Sequence, residues 1–567
     1  MSVRQWKALA VILGVALPLL SARAQVSFER IVNAAREPQN WLSYSATPDN
    51  QRYSRLDAIN TSNVANLELQ WVWQARSLEK FEATPLVVDG ILYTVQAPND
   101  VVALDAKTGR VFWTYHHEPS PVARTCCGRV NRGLAILGDT LYMGTVDAHL
   151  LAIDANSGTL RWDVTVADAS RNYSITMSPN VFKDKVIVGT AGGDMGIRGH
   201  ISAFDAASGK EVWRFYTIPA PGEPGNDTWP GDSWKTGGAP VWVTGSYDPK
   251  LGLTFWGTGN PGPWTGDTRP GDNLYTNSVV AFDVETGALK GYHQYHWNDS
   301  WDWDEVAAPL LIDLPRNGRT VPGLVHAGRN GYLWMLERSA DRISFIDAKP
   351  YVKQNVFTSL DPVTGRPEYD MEHKPGVNKP AIYCPSLWGG KDWPPAAYNP
   401  GTGYLYIPAN ENLCQHLVGE DVEYRPGQQF TGAQTVDFIV AEGADHIGEL
   451  QAWDIRTGQR VWTHEYQTPT WGPVMTTAGG LVFTGGTNDR YFRAFDARTG
   501  KLLWQHRTNS GITGVPTSFE IDGVQYIAVQ SGWGVDAQGM TARIDRARGT
   551  ETIVPQGGVV LVYALPR

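Results

Sequence analysis

Four carboxylates, Asp299, Asp302, Asp304 and Glu305, fall within seven residues of the stretch His296-Trp297-Asn298-Asp299-Ser300-Trp301-Asp302-Trp303-Asp304-Glu305. Large indoles, a type usually buried, are interleaved with them. Negative charge held against apolar surface is costly unless a cation or a proton-transfer role compensates it. The chemistry open to such a group is to bind a hard cation through oxygen, or to take a proton from a substrate. In a strand Asp302 and Asp304 point to the same side, because side chains alternate with period two, so both reach one ion. The plain alternative is a polar turn with solvated acids.

A second group lies upstream, in Gly237-Gly238-Ala239-Pro240-Val241-Trp242 and Phe255-Trp256-Gly257-Thr258-Gly259-Asn260-Pro261. A tryptophan beside tight glycine turns can present a flat face to a planar ligand, and an Asn amide oxygen is a hard ligand suited to a cation such as calcium. With 23 tryptophans in the chain, Trp242 can equally be a packing residue. Four cysteines, Cys126, Cys127, Cys384 and Cys414, suggest two disulfides if the chain is exported. The adjacent pair can bond to each other only through a strained ring, or else to separate partners. No Cys-x-x-Cys-His occurs, so the sequence offers no site for covalent haem.

The elements that carry these residues form a repeat. Ala103-x-Asp105-x-x-Thr108-Gly109-x-x-x-Trp113 recurs from Ala152 to Trp162, from Ala203 to Trp213, from Ala452 to Trp462 and from Ala494 to Trp504, and in shortened form from Ala281 to Gly287. Each copy predicts an alternating strand, a turn in which Asp and Thr cap backbone groups and Gly takes positive φ, and a second strand opening on Trp. Neighbouring copies lie roughly 40–50 residues apart, the period of a four-stranded propeller blade. The gap between Gly287 and Gly458 leaves room for degenerate copies, one near Leu333–Arg338, so the expected fold is an all-β, eight-bladed β-propeller forming a single domain over residues 25–567. The terminal strand Gly558–Leu565 is expected to close the ring against N-terminal strands.

Residues 1–24 have the layout of a secretory signal: Arg4 and Lys7, an apolar run from Ala8 to Leu20, and Ala22-Arg23-Ala24 before Gln25. No later segment approaches the roughly 20 apolar residues of a membrane helix. The net charge of −10 becomes more negative without Arg4, Lys7 and Arg23. An acidic surface without Lys/Arg clusters argues against nucleic acid and anionic membrane as partners. The expectation is an exported, periplasmic protein without a membrane span.

Together these residues resemble the pyrroloquinoline quinone (PQQ)-dependent alcohol dehydrogenases of the methanol and ethanol dehydrogenase type. The resemblance runs from about Trp41 to the C-terminus and rests on Glu82-Ala83-Thr84-Pro85, Cys126-Cys127-x-x-Val130-Asn131-Arg132-Gly133, the two stretches around Trp242 and Asn260, Trp301-Asp302-Trp303-Asp304, Trp388-Gly389-Gly390-x-x-Trp393-Pro394-Pro395 and Gly532-Trp533-Gly534. It implies PQQ on the propeller axis, clamped between the indole of Trp242 and a Cys126–Cys127 vicinal disulfide. Glu82, Arg132, Thr176 and Arg329 match positions that bond the quinone's carboxylates and carbonyls, a role that suits the bidentate Arg fork. Trp393 and Trp533 complete the implied cofactor set, and Cys384 and Cys414 match a structural disulfide.

The implied metal ligands are Asp194, Asn260, Asp302 and Asp304, with Asp302 also the implied catalytic base; the alternative for Asp302 is a ligand with no proton role. Two positions depart from the usual pattern: Asp194 stands where the family usually has Glu, and Arg329 where many relatives have Lys. Relatives that use lanthanides carry a second aspartate two positions after the catalytic one, as Asp304 does here, whereas those that use calcium carry a neutral residue. A trivalent ion gains more from an added carboxylate, so a lanthanide is favoured over Ca2+. The implied activity is oxidation of an alcohol, with a soluble c-type cytochrome as electron acceptor and a homodimer left open. The alternatives are a PQQ-dependent sugar or polyol dehydrogenase, and a non-catalytic propeller scaffold of outer-membrane assembly.

Overall fold

The computed structural model describes residues 26–316 and 318–566. The expected export signal, residues 1–24, lies outside them. Among the described residues, no helix is long and apolar enough to cross a membrane.

The chain is all-β. Among the described residues, eight four-stranded sheets with antiparallel neighbours follow one another, the first opening at Leu86–Val88 and the seventh ending at Leu502–Arg507, where Tyr53–Ser54 adds a fifth, parallel strand. The eighth joins the two ends of the chain in the order Glu68–Gln74, Val559–Ala564, Val524–Ser531, Thr517–Ile521. Two smaller sheets, Phe357–Leu360 with Pro367–Tyr369, and Pro380–Tyr383 with Leu413–Gly419 and Ala433–Val440, are additions to this series. The degenerate copy expected near Leu333–Arg338 falls on the strand Tyr332–Arg338.

The repeat shows why neighbouring sheets adhere. Asp105 accepts the backbone N–H groups of Lys107 and Thr108, each at 3.0 Å, and Gly109 closes the turn at φ +74°. The Trp113 indole then donates to Ala155 O in the next sheet at 3.1 Å and covers Gly158, where a Cβ would meet the ring at 2.6 Å. Trp162 repeats this on Ala206 and Gly209, Trp213 on Val284 and Gly287, and Trp462 on Ala497 and Gly500. Each glycine is fixed twice, by its positive φ and by the neighbouring ring. At the junction of the chain ends Trp504 donates to Leu67 O at 3.0 Å and Trp71 to Ala106 O at 3.2 Å. Loops from several of these sheets converge on one cavity.

Candidate functional site

The acid stretch is not a strand. Residues 299–309 run as irregular backbone, and Asp302 sits at φ +61°. Its N–H donates to Asp299 Oδ2 at 3.0 Å. Trp301 and Trp303 are wholly buried, stacked with centroids 4.9 Å apart, and donate to His373 O and Ser386 O. With both indoles anchored in the core, Asp302 and Asp304 turn the other way and line the cavity. Nor are these acids solvated. The other two carboxylates lie behind the wall: Asp299 contacts His296 Nε2 at 3.1 Å, and Glu305 contacts His326 Nε2 at 2.6 Å while accepting the backbone N–H groups of Arg329 and Asn330 at 3.2 Å. Glu305 thereby fixes the turn that presents Arg329.

Asp194 comes from a 3-10 turn, Gly193–Met195, and Asn260 from the segment after the strand Leu253–Gly257. The two are linked to each other and to the acid stretch: Asn260 Nδ2 donates to Asp194 Oδ1 at 3.4 Å, and the Asn260 N–H donates to Asp304 Oδ1 at 2.8 Å. Arg269, fully buried, ties the loops from behind by donating to Pro263 O, Trp264 O and Asp299 O. Asp194, Asn260, Asp302 and Asp304 all line one cavity.

Burial drives the electrostatics. It raises Asp302 well above the usual carboxylate range, with the charges of Asp194 and Asp304 adding to the effect. Asp304 is pushed up to about 7 by burial, which Arg329 only partly offsets. Burial also raises Asp194, against the hydrogen bonds from Trp264 and Asn260. Three enclosed carboxylates that mutually oppose ionisation form an all-oxygen set with the chemistry of a hard-cation site.

The cavity lining also carries cationic and aromatic groups. Arg132 Nη2 lies 2.6 Å from Glu82 Oε2, and Arg132 Nη1 donates to Thr176 Oγ1 at 3.0 Å. The Arg132 guanidinium lies 4.7 Å from the ring centroids of both Trp242 and Trp393. Arg329 reaches Asp392 at 2.6 Å and Asp304 at 3.5 Å. Despite burial, Asp392, Asp304 and Asp302 hold the Arg329 guanidinium more firmly charged than usual. Cys126 and Cys127 are bonded to each other and exposed at the cavity, as Cys384 and Cys414 are bonded in the interior. The half-buried Trp242 lines the same cavity. Its donors suit a flat, anionic ligand: Arg132 and Arg329 each keep a buried Nε without a hydrogen-bond partner. At Gly193 a Cβ would run into Pro240 at 2.8 Å, so this wall is cut to its minimum.

Two expected cofactor residues stand back from this cavity. Glu82 is wholly buried behind Arg132, and Trp533 lines an adjoining cavity with Trp388 and Trp471. Residues not singled out from sequence also line the main one, among them Asp392, Leu387, Trp471 and Met540, the last from the helix Gly534–Arg548. Asp392 fell at an unassigned position within the Trp388–Pro395 stretch, where an acid beside Trp393 was the available signal. Trp471 and Met540 carried none.

A family profile described as PQQ glucose/ethanol/alcohol dehydrogenase, beta-propeller domain, matches residues 41–342 and 463–527. The chain is 36% identical to the quinoprotein alcohol dehydrogenase PedH of Pseudomonas putida, covering 93% of this chain and 92% of that protein. It is 38% identical to a lanthanide-dependent methanol dehydrogenase of Methylacidiphilum fumariolicum, over 89% and 87% of the two chains. Among solved structures, a europium-containing methanol dehydrogenase superposes with TM-score 0.89 at 35% identity, covering 95% of this chain and all of that one. The repeat, the convergent cavity and these similarities lead to one conclusion: the chain belongs to the PQQ-dependent alcohol dehydrogenase family of β-propeller proteins.

Proposed function

We propose that the chain oxidises an alcohol to an aldehyde or ketone, using PQQ and one metal ion bound in this cavity. When bound, PQQ would supply the hydride acceptor and the ion Lewis acidity at its carbonyl. The observation that supports the reading is the convergence in one cavity of Trp242, the Cys126–Cys127 disulfide, Arg132 and Arg329, and the carboxylates of Asp194, Asp302 and Asp304.

In this reading Trp242 and the disulfide are the two flat walls, while Arg132, Thr176 and Arg329 face the anionic edge of the cofactor. Glu82 and Trp393 set the pose of Arg132, and Trp533 supports the wall from the adjoining layer. Asp302 takes the hydroxyl proton as general base. Burial holds its pKa above the usual carboxylate range, and a bound cation would favour the ionised form, so base and metal site are one unit. Asp194, Asn260, Asp302 and Asp304 are the protein ligands. Arg329 is shared between Asp392 at 2.6 Å and Asp304 at 3.5 Å, so it meets the Asp304 charge only in part, which favours a lanthanide over Ca2+. Leu387, Trp388, Trp471 and Met540 give one wall an apolar surface, which suits alcohols with apolar substituents better than sugars.

The eight sheets are assigned as eight blades around the cofactor axis, in one domain over residues 25–567. The electron acceptor is assigned as a soluble c-type cytochrome in the periplasm.

The test is reconstitution. Metal-free protein given PQQ and La3+ should reduce an artificial dye when alcohol is added, and Asp304→Ala should abolish that activity. Full activity with Ca2+ and none with La3+ would reject the lanthanide, and no activity with any metal would reject the enzyme. Asp302→Asn should retain PQQ absorbance yet lose about 100-fold or more in turnover, the scale of general-base removal.

A further inference from the structure

Trp264 was not among the expected site residues, and it does not face the cavity. Its indole N–H donates to Asp194 Oδ1 at 2.9 Å, and the Asn260 amide reaches the same oxygen at 3.4 Å. Among the described residues no donor reaches Oδ2, although Asp194 lines the cavity. We propose that Trp264 is a positioning residue for the metal centre: it holds Oδ1 of Asp194 so that a single oxygen of this short side chain is presented to the cation. The inference rests on the reading of Asp194 as a metal ligand.

Both partners are held from behind. The Trp264 N–H donates to Thr431 O at 2.8 Å, and its own carbonyl accepts from Arg269 Nη2 at 2.8 Å. The ring is 8% exposed and packs in the same core cluster as Trp301 and Trp303, so it has no space to swing away. On the other side the Asp194 carbonyl accepts the Phe430 N–H at 2.7 Å, and Tyr424 and Phe430 cover the following Gly196 so closely that a Cβ there would meet Tyr424 at 2.7 Å. The 3-10 turn and the indole are therefore fixed relative to each other.

The physical consequence concerns denticity. A carboxylate with two open oxygens can rotate to offer either or both, whereas a charge-assisted hydrogen bond to one oxygen fixes the rotation about the Cβ–Cγ bond. Outer partners that orient metal-binding side chains are typically worth about 10–100-fold in metal affinity. An aspartate is one methylene shorter than a glutamate and cannot recover lost aim by bending its own chain. Trp264 supplies that aim from outside the cavity.

The experiment measures the La3+ dissociation constant of the full chain loaded with PQQ, by competition with a chelator. Asp194→Ala, Trp264→Phe and the double variant are compared. A second Trp264 variant carries the benzothiophene isostere, which keeps the ring volume and removes the N–H. The expected result is about 10–100-fold weaker La3+ binding for Asp194→Ala and for both Trp264 variants, with no further loss on adding Trp264→Phe to Asp194→Ala. If Asp194→Ala weakens binding and the isostere does not, the positioning role is overturned while the metal site stands. Additive losses in the double variant would likewise overturn it, since Trp264 would then act through the general fold. Unchanged binding in Asp194→Ala would overturn the ligand assignment itself.

Discussion

Gly259 carries a constraint on the site that its sequence neighbours conceal. A Cβ at this position would meet Asp304 Oδ1 at 2.0 Å and Pro240 at 2.7 Å, and the backbone cannot retreat because Gly259 donates to Pro240 O at 2.8 Å and accepts from Asn277 at 3.1 Å. Gly259→Ala should therefore displace the Asp304 carboxylate and weaken La3+ binding by about tenfold or more; chelator competition giving the parent affinity would show that the carboxylate has room to move. The crowded acids also set a pH dependence. Asp304 has a folded pKa of about 7 against an ordinary 3.8, so the folded protein holds the proton more firmly than the unfolded chain. The contribution to stability is fully present below about pH 4 and is lost as pH rises through 7. Asp302 and Asp194 shift in the same direction. Metal-free protein should melt at progressively lower temperature between pH 5 and 8 in this respect, and La3+ should remove the slope by binding the ionised groups. A slope unchanged by the metal in thermal melts would separate the pH effect from this site.

The loops, more than the strands, decide which of these acids can react. Alternation of Trp and Asp along 301–304 is visible in the sequence and correctly separates the core-facing indoles from the cavity-facing acids, yet the expected strand is absent. The positive φ of Asp302 and the bond from its N–H to Asp299 replace ladder pairing, and no local pattern specifies where a carboxylate three residues earlier will point. For the same reason the sequence did not divide the four acids into two that face the cavity and two that brace it. The repeat was far more legible, because each copy carries its own Asp cap, Gly turn and Trp anchor within about a dozen residues. Arg269 had no such signal. It bridges the Pro263–Trp264 carbonyls, the Asn273 side chain and the Asp299 carbonyl, joining the two loops that present Asn260 and Asp302. Hydrogen bonds to charged groups contribute about 1.5–3 kcal/mol each. Arg269→Met should then cost on the order of 3 kcal/mol or more in chemical denaturation and weaken La3+ binding as well. A stable protein with parent affinity would show that the loops hold their places without this strut.

At the scale of the whole molecule, the site depends on a ring whose ends meet in the eighth sheet. Val559–Ala564 lies between Glu68–Gln74 and Val524–Ser531, with Trp71 opposite Val562 and Trp73 opposite Val560, so the last strand is the central bond between the two ends of the chain. All six of its side chains are at most 4% exposed. Burying a Val, Leu or Tyr side chain contributes roughly 1.5–3 kcal/mol, so the strand accounts for about 10 kcal/mol. That is comparable with the roughly 5–15 kcal/mol by which a typical domain is stable. Removing it also exposes the edges of its two neighbours, which are templates for association. The damage reaches the cofactor wall directly: the Phe81 N–H donates to Gly532 O at 3.0 Å in the segment after Val524–Ser531, and Phe81 precedes Glu82, the partner of Arg132. A chain ending at Gly557 should accordingly fail to give soluble protein with a cooperative melt, and should not bind PQQ. Val562→Ala, which shortens one buried side chain without opening the ring, should melt cooperatively at a lower temperature and keep the cofactor. Recovery of a folded, PQQ-binding chain ending at Gly557 would mean that the seven remaining sheets hold the cavity without ring closure.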